Sequence, residues 1–499
     1  NPGKTTLTTS TITLSVDGVV TKVIPWSDSL VPGAEIPLYL DTMNVNAGSN
    51  DLRIWISNPN GSVDLNNDND TLQYNIYGCD TLLNGQYTIG VSGADYVSFQ
   101  DALQAMIRCG INGPVTFRVN DGVYNENLYI NTALILGSNS QNTISFVSTS
   151  GNAANVILGN HQALGASALV LDGASNLIFK DITIGLNSEN TGVAVEFLGM
   201  CENIEFNSCI IQTYDQATSN TYCGVKYYNS SSSSNYLKNV KFVHNHIDGG
   251  YYNFWFYYSA GTSSNMGNMS VIIDSNTLSN AYYAGFYTYY NGNYPSVSYN
   301  TITSRTNENV GTDWYGIYTY YNTNIENIVG NKIQNINVRI AQPRGIYIHY
   351  YFNYTSYSGS GQGLIANNEI LLYGANATNT YQNFAGLYIY YPYSSTKILH
   401  NSIYLYGADP ATLTGAALYA YNTSTSYLLK IQNNVFSTAI ANNANTCLIP
   451  YYISSLTYAR PNYVNSDYNN YYNAYNQNVA YAGEEYTLVD LRAANMQDA

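Results

Sequence analysis

Charge is scarce in this sequence. Asp, Glu, Lys and Arg together make 10% of 499 residues, and 32 acidic against 17 basic residues give a net charge of −15. With no basic patch to engage phosphates, the charge argues against nucleic acid and anionic membranes as partners. No run approaches the ~18 consecutive apolar residues that a membrane span needs, which argues against membrane insertion. Cysteine is scarce too. Cys79, Cys109, Cys201, Cys209, Cys223 and Cys447 are too few for a disulfide scaffold and lack zinc-ligand spacing. Cys79 and Cys109 flank one capping unit and are a candidate pair. The opening "NPGKTTLTTSTITLSV" lacks the charged-then-apolar pattern of a signal peptide, which predicts a processed chain or an excerpt of a longer one.

In place of charge the chain carries Asn, Thr, Ser, Gly and 53 Tyr. Tyrosine in that quantity is costly, because each ring needs packing and each hydroxyl a partner. The composition predicts an all-β extracellular structure, and the length predicts two domains or one long repeat array.

Residues 1–80 read as a small β-sandwich: "TITLSVDGVV", "EIPLYL", "DLRIWISN" and "TLQYNIYG" alternate apolar and polar residues between turns at Asp17-Gly18, Pro32-Gly33 and Asn60-Gly61. This pattern resembles the immunoglobulin-like modules between domains of bacterial surface proteins. "DLNNDND" groups Asp64, Asp68 and Asp70, a weak Ca²⁺ candidate without the spacing of a known calcium loop, set against a solvated turn. Residues 81–130 read as a cap with a helix over 98–109. Ser98 caps it, Asp101 lies in its first turn, Phe99, Ala102, Leu103, Met106 and Ile107 share a face, and Gly110 stops it. The helix followed by "VTFRV" and "GVYNENLYI" resembles the N-terminal cap of secreted right-handed parallel β-helices, pectin methylesterases among them.

From 131 to about 475 the chain repeats. One strand type recurs as "GVAVEF", "GVKYYN", "NFWFYY", "GFYTYY", "GIYTYY", "GIYIHY", "GLYIYY" and "ALYAYN", spaced 29 to 41 residues apart when aligned on Val193, Val225, Phe254, Phe286, Ile317, Ile346, Leu387 and Leu418. A second carries Asn-x-apolar, at Asn245, Asn276, Asn300, Asn331, Asn368, Asn401 and Asn434. A polar residue recurring once per coil at a bend is expected to bond its counterparts above and below. Apolar strands at a period near thirty, without intervening helices, predict a solenoid of parallel sheets. The resemblance to right-handed parallel β-helix proteins implies that fold for about three-quarters of the chain.

Alternation then assigns faces. With Ile317 and Thr319 inside, Tyr318 and Tyr320 point out. The same parity places Trp255/Tyr257, Tyr287/Tyr289, Tyr347/His349, Tyr388/Tyr390 and Tyr419/Tyr421 outside. Coils ~4.8 Å apart would make two aromatic columns, either rings that stiffen the sheet or an exposed patch that binds sugar or a partner protein. Loops 213–223, 304–314, 372–384 and 405–415 bring Asp215, Arg305, Glu308 and Asp313 to one edge of that face.

An enzyme on this scaffold would need clustered carboxylates and a base. The best catalytic candidate is His244, His246 and Asp248 in "VHNHIDGG", with Arg339, Arg344 and His349 second. "NLIFKDITI" resembles a strand of pectin methylesterases, but their catalytic Asp pair, Gln and Arg motifs are not found here, so that activity is not carried over. Residues 476–499, ending "LRAANMQDA" after "SDYNNYY", resemble a closing segment of large secreted bacterial β-helix proteins and read as a cap and linker to further polypeptide, which implies a cell-surface protein exported as a type IX secretion cargo. Four Asp-Ser/Thr-apolar triplets, with acceptors Ser29, Thr42, Thr71 and Thr81, resemble the O-glycosylation motif of such bacteria. The sequence thus predicts an extracellular adhesin or structural segment with no cofactor, Ca²⁺ aside, whose partner is a glycan or another surface protein. A polysaccharide lyase or hydrolase is the first alternative, and a stalk or filament subunit the second.

Overall fold

The structure, a computed structural model, describes the chain apart from residues 2, 41, 47, 65–69, 160–163, 322, 350–362, 375–383, 391–394, 408–414, 422–427, 440–448, 454–463, 476, 482–484 and 494–499, and apart from the side chains of 449–453. Contacts divide it into two compact units.

The first unit comprises Asn1–Asn84, Leu103–Gly113 and Ile135–Gly137. Its sheet has four antiparallel strands, Leu7–Val16, Val19–Leu30, Gly48–Ser57 and Thr71–Gly78, ordered second, first, third, fourth. Asp17 and Gly18 both have positive φ, 51° and 78°, and join Val16 to its partner Val19. That two-residue geometry follows the right-handed twist of a hairpin, which is why Asp-Gly stands there. Ile12, Leu14 and Val16 are buried on one face of the sheet. Within the same unit Cys79 and Cys109 form a disulfide, with Cα atoms 5.4 Å apart.

The second unit is a parallel β-solenoid. Three long sheets, of 12, 13 and 13 strands, interleave so that strands pair in parallel with the strand one coil on, except for the last pair, Asn478–Tyr481 with Glu485–Thr487, which is antiparallel. The parallel pairing begins early: Ile111–Val119, Gly122–Tyr124 and Leu128–Ile130 already pair with strands of the next coil, so a first coil lies inside the stretch read as the cap. The helix runs Phe99–Cys109, with Phe99–Ala102 in this unit and the rest in the first. Ser98 Oγ accepts from the Asp101 amide at 3.0 Å, and the Glu126 carboxylate accepts from the Phe99 and Gln100 amides at 2.9 and 2.8 Å, so a distant side chain completes the cap.

Each coil turns its corner in the same way. A residue of positive φ, such as His244, Ser275, Tyr299, Asn367, His400 or Asn433, precedes each ladder asparagine. The asparagine backbone and side-chain amides then both donate to Oδ1 of the next asparagine. From Asn300 to Asn331 these bonds are 2.9 and 3.1 Å, and from Asn331 to Asn368 2.9 and 3.0 Å. The second amide hydrogen of Asn331 goes to the Val297 carbonyl at 2.9 Å, so a buried polar group is fully used. The ladder extends one coil beyond the sequence pattern, to Asn469, and opens on the Cys209 amide. Inside the early coils Phe117, Phe146, Phe179, Phe206 and Phe242 stack face to face, at 5.0 to 5.5 Å between ring centroids.

Candidate functional site

Strand register brings the repeated tyrosines into files. One file, here the inner, runs Trp255, Tyr287, Tyr318, Tyr347, Tyr388 and Tyr419, and continues back through Lys226 to Glu196. The outer file runs Tyr228, Tyr257, Tyr289, Tyr320, His349, Tyr390 and Tyr421. Ile317, Ile346 and Thr319 lie behind them, buried in the core. A small residue opens most of these strands because the corner is tight. A Cβ on Gly316 would come within 2.4 Å of Ile333 Cγ2, and one on Gly345 within 2.6 Å of Ile370 Cγ2.

The rings stack along the coil direction. In the outer file Tyr257–Tyr289, Tyr289–Tyr320, Tyr320–His349 and His349–Tyr390 centroids lie 5.3, 4.7, 4.4 and 4.8 Å apart, with planes within 11°. In the inner file Tyr287–Tyr318, Tyr318–Tyr347, Tyr347–Tyr388 and Tyr388–Tyr419 are 4.8, 5.0, 4.3 and 4.7 Å apart. Each ring therefore covers the face of its neighbour. Of the outer file only Tyr228 is exposed, and the other six residues are half-buried.

This corrects the expectation of two exposed columns. Tyr388 and Tyr419 are buried, at 2% and 3% exposure, and the other inner rings are half-buried. Burial pushes the phenols of Tyr287, Tyr318 and Tyr388 well above the ordinary tyrosine value, and that of Tyr347 up to about 12. His349 is pulled down to about 4 by burial between Tyr320 and Tyr390, so its ring is neutral at pH 7.

A third file was not foreseen. Tyr258, Tyr290 and Tyr321 have φ of 49°, 58° and 41°, a left-handed conformation rare for a bulky residue. They stack on one another at 4.7 and 5.0 Å. They also stand edge-on to Tyr257, Tyr289 and Tyr320, at 78°, 81° and 86°. Burial, and after it the adjacent phenols of Tyr290 and Tyr321, push the Tyr289 and Tyr320 hydroxyls above the ordinary tyrosine value. The only sequence signal was the doubled tyrosine ending "FWFYY", "FYTYY" and "IYTYY".

The charged groups near this face are tied up. Lys226 Nζ meets Glu196 at 3.0 Å and lies 5.7 Å from the Trp255 ring centroid. Arg344, 5% exposed, donates to Asp313 Oδ1 and to the Tyr315 hydroxyl at 2.8 Å each, beneath the ring of Tyr347. Arg305, expected at the edge where selectivity would be set, is fully buried. It donates to the carbonyls of Ala217, Gly250, Asn280 and Asn309 and so ties three loops together. Burial lowers its guanidinium to about 10, and it stays a cation.

The catalytic candidates lie elsewhere, on the asparagine sheet, and only two of the three come together. His244 is an exposed corner residue with φ of 59°. His246 and Asp248 project from one strand, 3.9 Å apart, with Ser279 between them. Ser279 donates to Asp248, and its oxygen sits 3.0 Å from His246 Nε2. The serine proton is thus committed to the carboxylate rather than to the imidazole, the reverse of what a nucleophile needs. Arg339 pairs with exposed Glu308 at 2.6 Å, apart from both Arg344 and His349 in role.

Among the described residues no group of three or more His, Cys, Asp or Glu is placed to hold a metal ion. Of the calcium candidates, Asp68 lies outside the described residues, while the Asp70 carboxyl is held above its usual range by partial burial and by the charge of Asp64. Ser29, Thr42, Thr71 and Thr81 are all exposed. Cys201, Cys209 and Cys223 are buried thiols, with Cys201 and Cys209 pushed up to about 12 by burial, which makes them inert. Cys447 lies outside the described residues.

No family model and no curated protein matches the chain. Among solved structures, a pectin methylesterase in complex with a hexasaccharide is similar at 12% identity, over 68% of this chain and 89% of that one, with a TM-score of 0.23. A pectin methylesterase from Erwinia chrysanthemi is similar at 11% identity over the same shares, with a TM-score of 0.20. At these values the likeness carries no argument. The solenoid stands on this chain's own strand pairing.

Proposed function

We propose that this chain is a non-catalytic segment of a bacterial cell-surface protein, an adhesive or structural solenoid whose tyrosine face binds a glycan or a partner surface. The observation that carries this reading is the outer file: six tyrosines and His349 in register, each stacked on the next, half-buried apart from the exposed Tyr228. A large repeated aromatic surface of this kind is the sort that marks recognition. In this reading residues 1–80 are an immunoglobulin-like spacer, the exposed Ser29, Thr42, Thr71 and Thr81 are glycosylation acceptors, and the chain is part of a longer secreted polypeptide carried by a type IX system. Structural stacking and recognition are compatible here, since the inner file stiffens the sheet while the outer one meets the ligand.

The test is a glycan array and polysaccharide pull-down with the wild type and a Tyr289→Ala/Tyr320→Ala variant, with soluble products followed in the same samples. Binding by the wild type, lost in the variant and without products, is the expected result. Product release abolished by Asp248→Asn would replace this reading with a hydrolytic one centred on His246, Asp248 and Ser279. Equal behaviour of the two proteins with every ligand would leave a stalk, with the tyrosines acting only as packing.

A further inference from the structure

A groove of about 310 Å³ opens on another sheet of the solenoid, across the strands Ser175–Lys180, Cys201–Asn207 and Leu237–Val243. Along its length strand register sets Ile178, Glu205 and Lys241 side by side, one from each coil. Near the start of the same strands Asn176, Asn203 and Asn239 stand in the left-handed region, with φ of 60°, 56° and 52°. Their side chains form a second, shorter ladder. Asn239 Nδ2 donates to Asn203 Oδ1 at 2.8 Å, and Asn203 Nδ2 to Asn176 Oδ1 at 3.1 Å. The ladder stops at Asn239, whose Oδ1 has no partner among the described residues.

Glu205 and Lys241 depart from what Glu and Lys do elsewhere in the solenoid. Glu196–Lys226, Glu202–Lys238 and Lys332–Glu369 also stand opposite each other on adjacent coils, and they close ion pairs at 3.0, 2.7 and 3.7 Å. Glu202–Lys238 lies on the very strands that carry Glu205 and Lys241, in the same register. The groove pair does not close. Asn207 Nδ2 donates to Glu205 Oε1 at 2.9 Å and holds that carboxylate. Lys241 is half-buried, and its Nζ has no ion pair or hydrogen bond among the described residues. Two opposite charges one coil apart, both lining a groove and not joined, leave room for a ligand between them.

We infer that this groove binds a neutral pyranose sugar as a mono- or disaccharide. The site is on a different sheet from the tyrosine files and does not rest on the reading of that face. Charge is the first argument. An anion would meet Glu205 and a cation Lys241, so either gains one attraction and suffers one repulsion. A sugar hydroxyl donates to the carboxylate while a neighbouring one accepts from the ammonium, and both bonds are charge-assisted. The second argument is the neutral polar surround. The Asn239 Oδ1 and the Ser140 and Thr143 hydroxyls line the same groove and suit the remaining hydroxyls of a pyranose, which an α-amino acid, the zwitterion that would also satisfy both charges, lacks. Ile178 gives the ring's C–H face an apolar seat. The volume, at the lower limit for small-ligand sites, holds one or two rings and no long chain.

The experiment titrates neutral hexoses, pentoses, N-acetylhexosamines and their disaccharides into the full chain by calorimetry. Galacturonic acid, glucosamine and leucine serve as the anionic, cationic and zwitterionic controls. The proteins are wild type, Lys241→Met, Glu205→Gln and, as a control on the other face, Tyr289→Ala/Tyr320→Ala. Methionine keeps an apolar stem and removes the charge, and glutamine keeps an oxygen for Asn207. Thermal midpoints within a few degrees of wild type verify that both variants fold. One neutral sugar should bind the wild type and the tyrosine variant alike. Lys241→Met and Glu205→Gln should each weaken it roughly ten- to a hundred-fold, the loss of one hydrogen bond to a charged group. Silence with every neutral sugar, equal affinity in the two groove variants, or tighter binding of any of the three controls overturns the inference. Binding lost only in Tyr289→Ala/Tyr320→Ala also overturns it, and leaves the tyrosine face as the sugar site.

Discussion

Tyr320 shows how a single side chain serves two roles in this face. Its ring is pressed between Tyr289 at 4.7 Å and His349 at 4.4 Å, with Tyr321 edge-on at 4.2 Å, while its hydroxyl remains at the rim. Tyr320→Ala removes these ring contacts and should lower stability by about 2–4 kcal/mol, whereas Tyr320→Phe should cost under about 1 kcal/mol. Urea denaturation of the two variants separates stacking from hydroxyl bonding. His349 gives the file a pH dependence. Folded, the ring holds its proton only below about 4, whereas an unfolded histidine takes one near 6.5. Between those values the unfolded state binds more protons, so stability falls as pH drops through that window. His349→Tyr should therefore lose less of its thermal midpoint between pH 7 and pH 5 than the wild type does. An equal or larger loss would place the sensitivity in other groups.

At the scale of the element, the asparagine ladder and the tyrosine files pose different problems to a reader of the sequence. The ladder was legible because Asn recurs with a fixed neighbour pattern and has one evident use at a tight corner, to bond up and down the stack. Removing one rung by Asn331→Ala would leave both amide donors of Asn300 without their acceptor in a buried corner. That should cost roughly 2–4 kcal/mol, measured as a shift in denaturation midpoint with unchanged m-value. The faces of the tyrosine strands were legible from parity alone. Their exposure was not, because alternation says which side of a sheet a residue takes and nothing about what covers it there. The left-handed file escaped for a related reason: the strand pattern ends one residue before Tyr258, Tyr290 and Tyr321, and intrinsic preference argues against a tyrosine turning that corner. Arg305 escaped because its partners are backbone carbonyls as far as 88 residues away, at Ala217, which no side-chain pattern records.

For the molecule as a whole, repetition made the architecture readable. A parallel solenoid follows from strands of one type returning about every thirty residues, and the three interleaved sheets bear that out. The same regularity explains why function is harder to read: every coil offers nearly the same surface, so no single residue stands out as a site, and in the reading proposed above the unit of recognition is a file rather than a cluster. His246, Asp248 and Ser279, a polar cluster on the asparagine sheet, are held in a bonding order suited to structure. The protein's activity is then expected to scale with how many coils a ligand spans.

Tyrosine footprinting tests this most directly. The protein is nitrated with and without a saturating neutral oligosaccharide, and each modified residue is located by mass spectrometry. Without ligand, Tyr257, Tyr258, Tyr289 and Tyr290 should react while Tyr287, Tyr318 and Tyr388 stay protected in the inner file; with ligand, the first four should become protected together. Inner rings reacting as fast as outer ones, or outer rings indifferent to every ligand that binds the protein, would contradict the account.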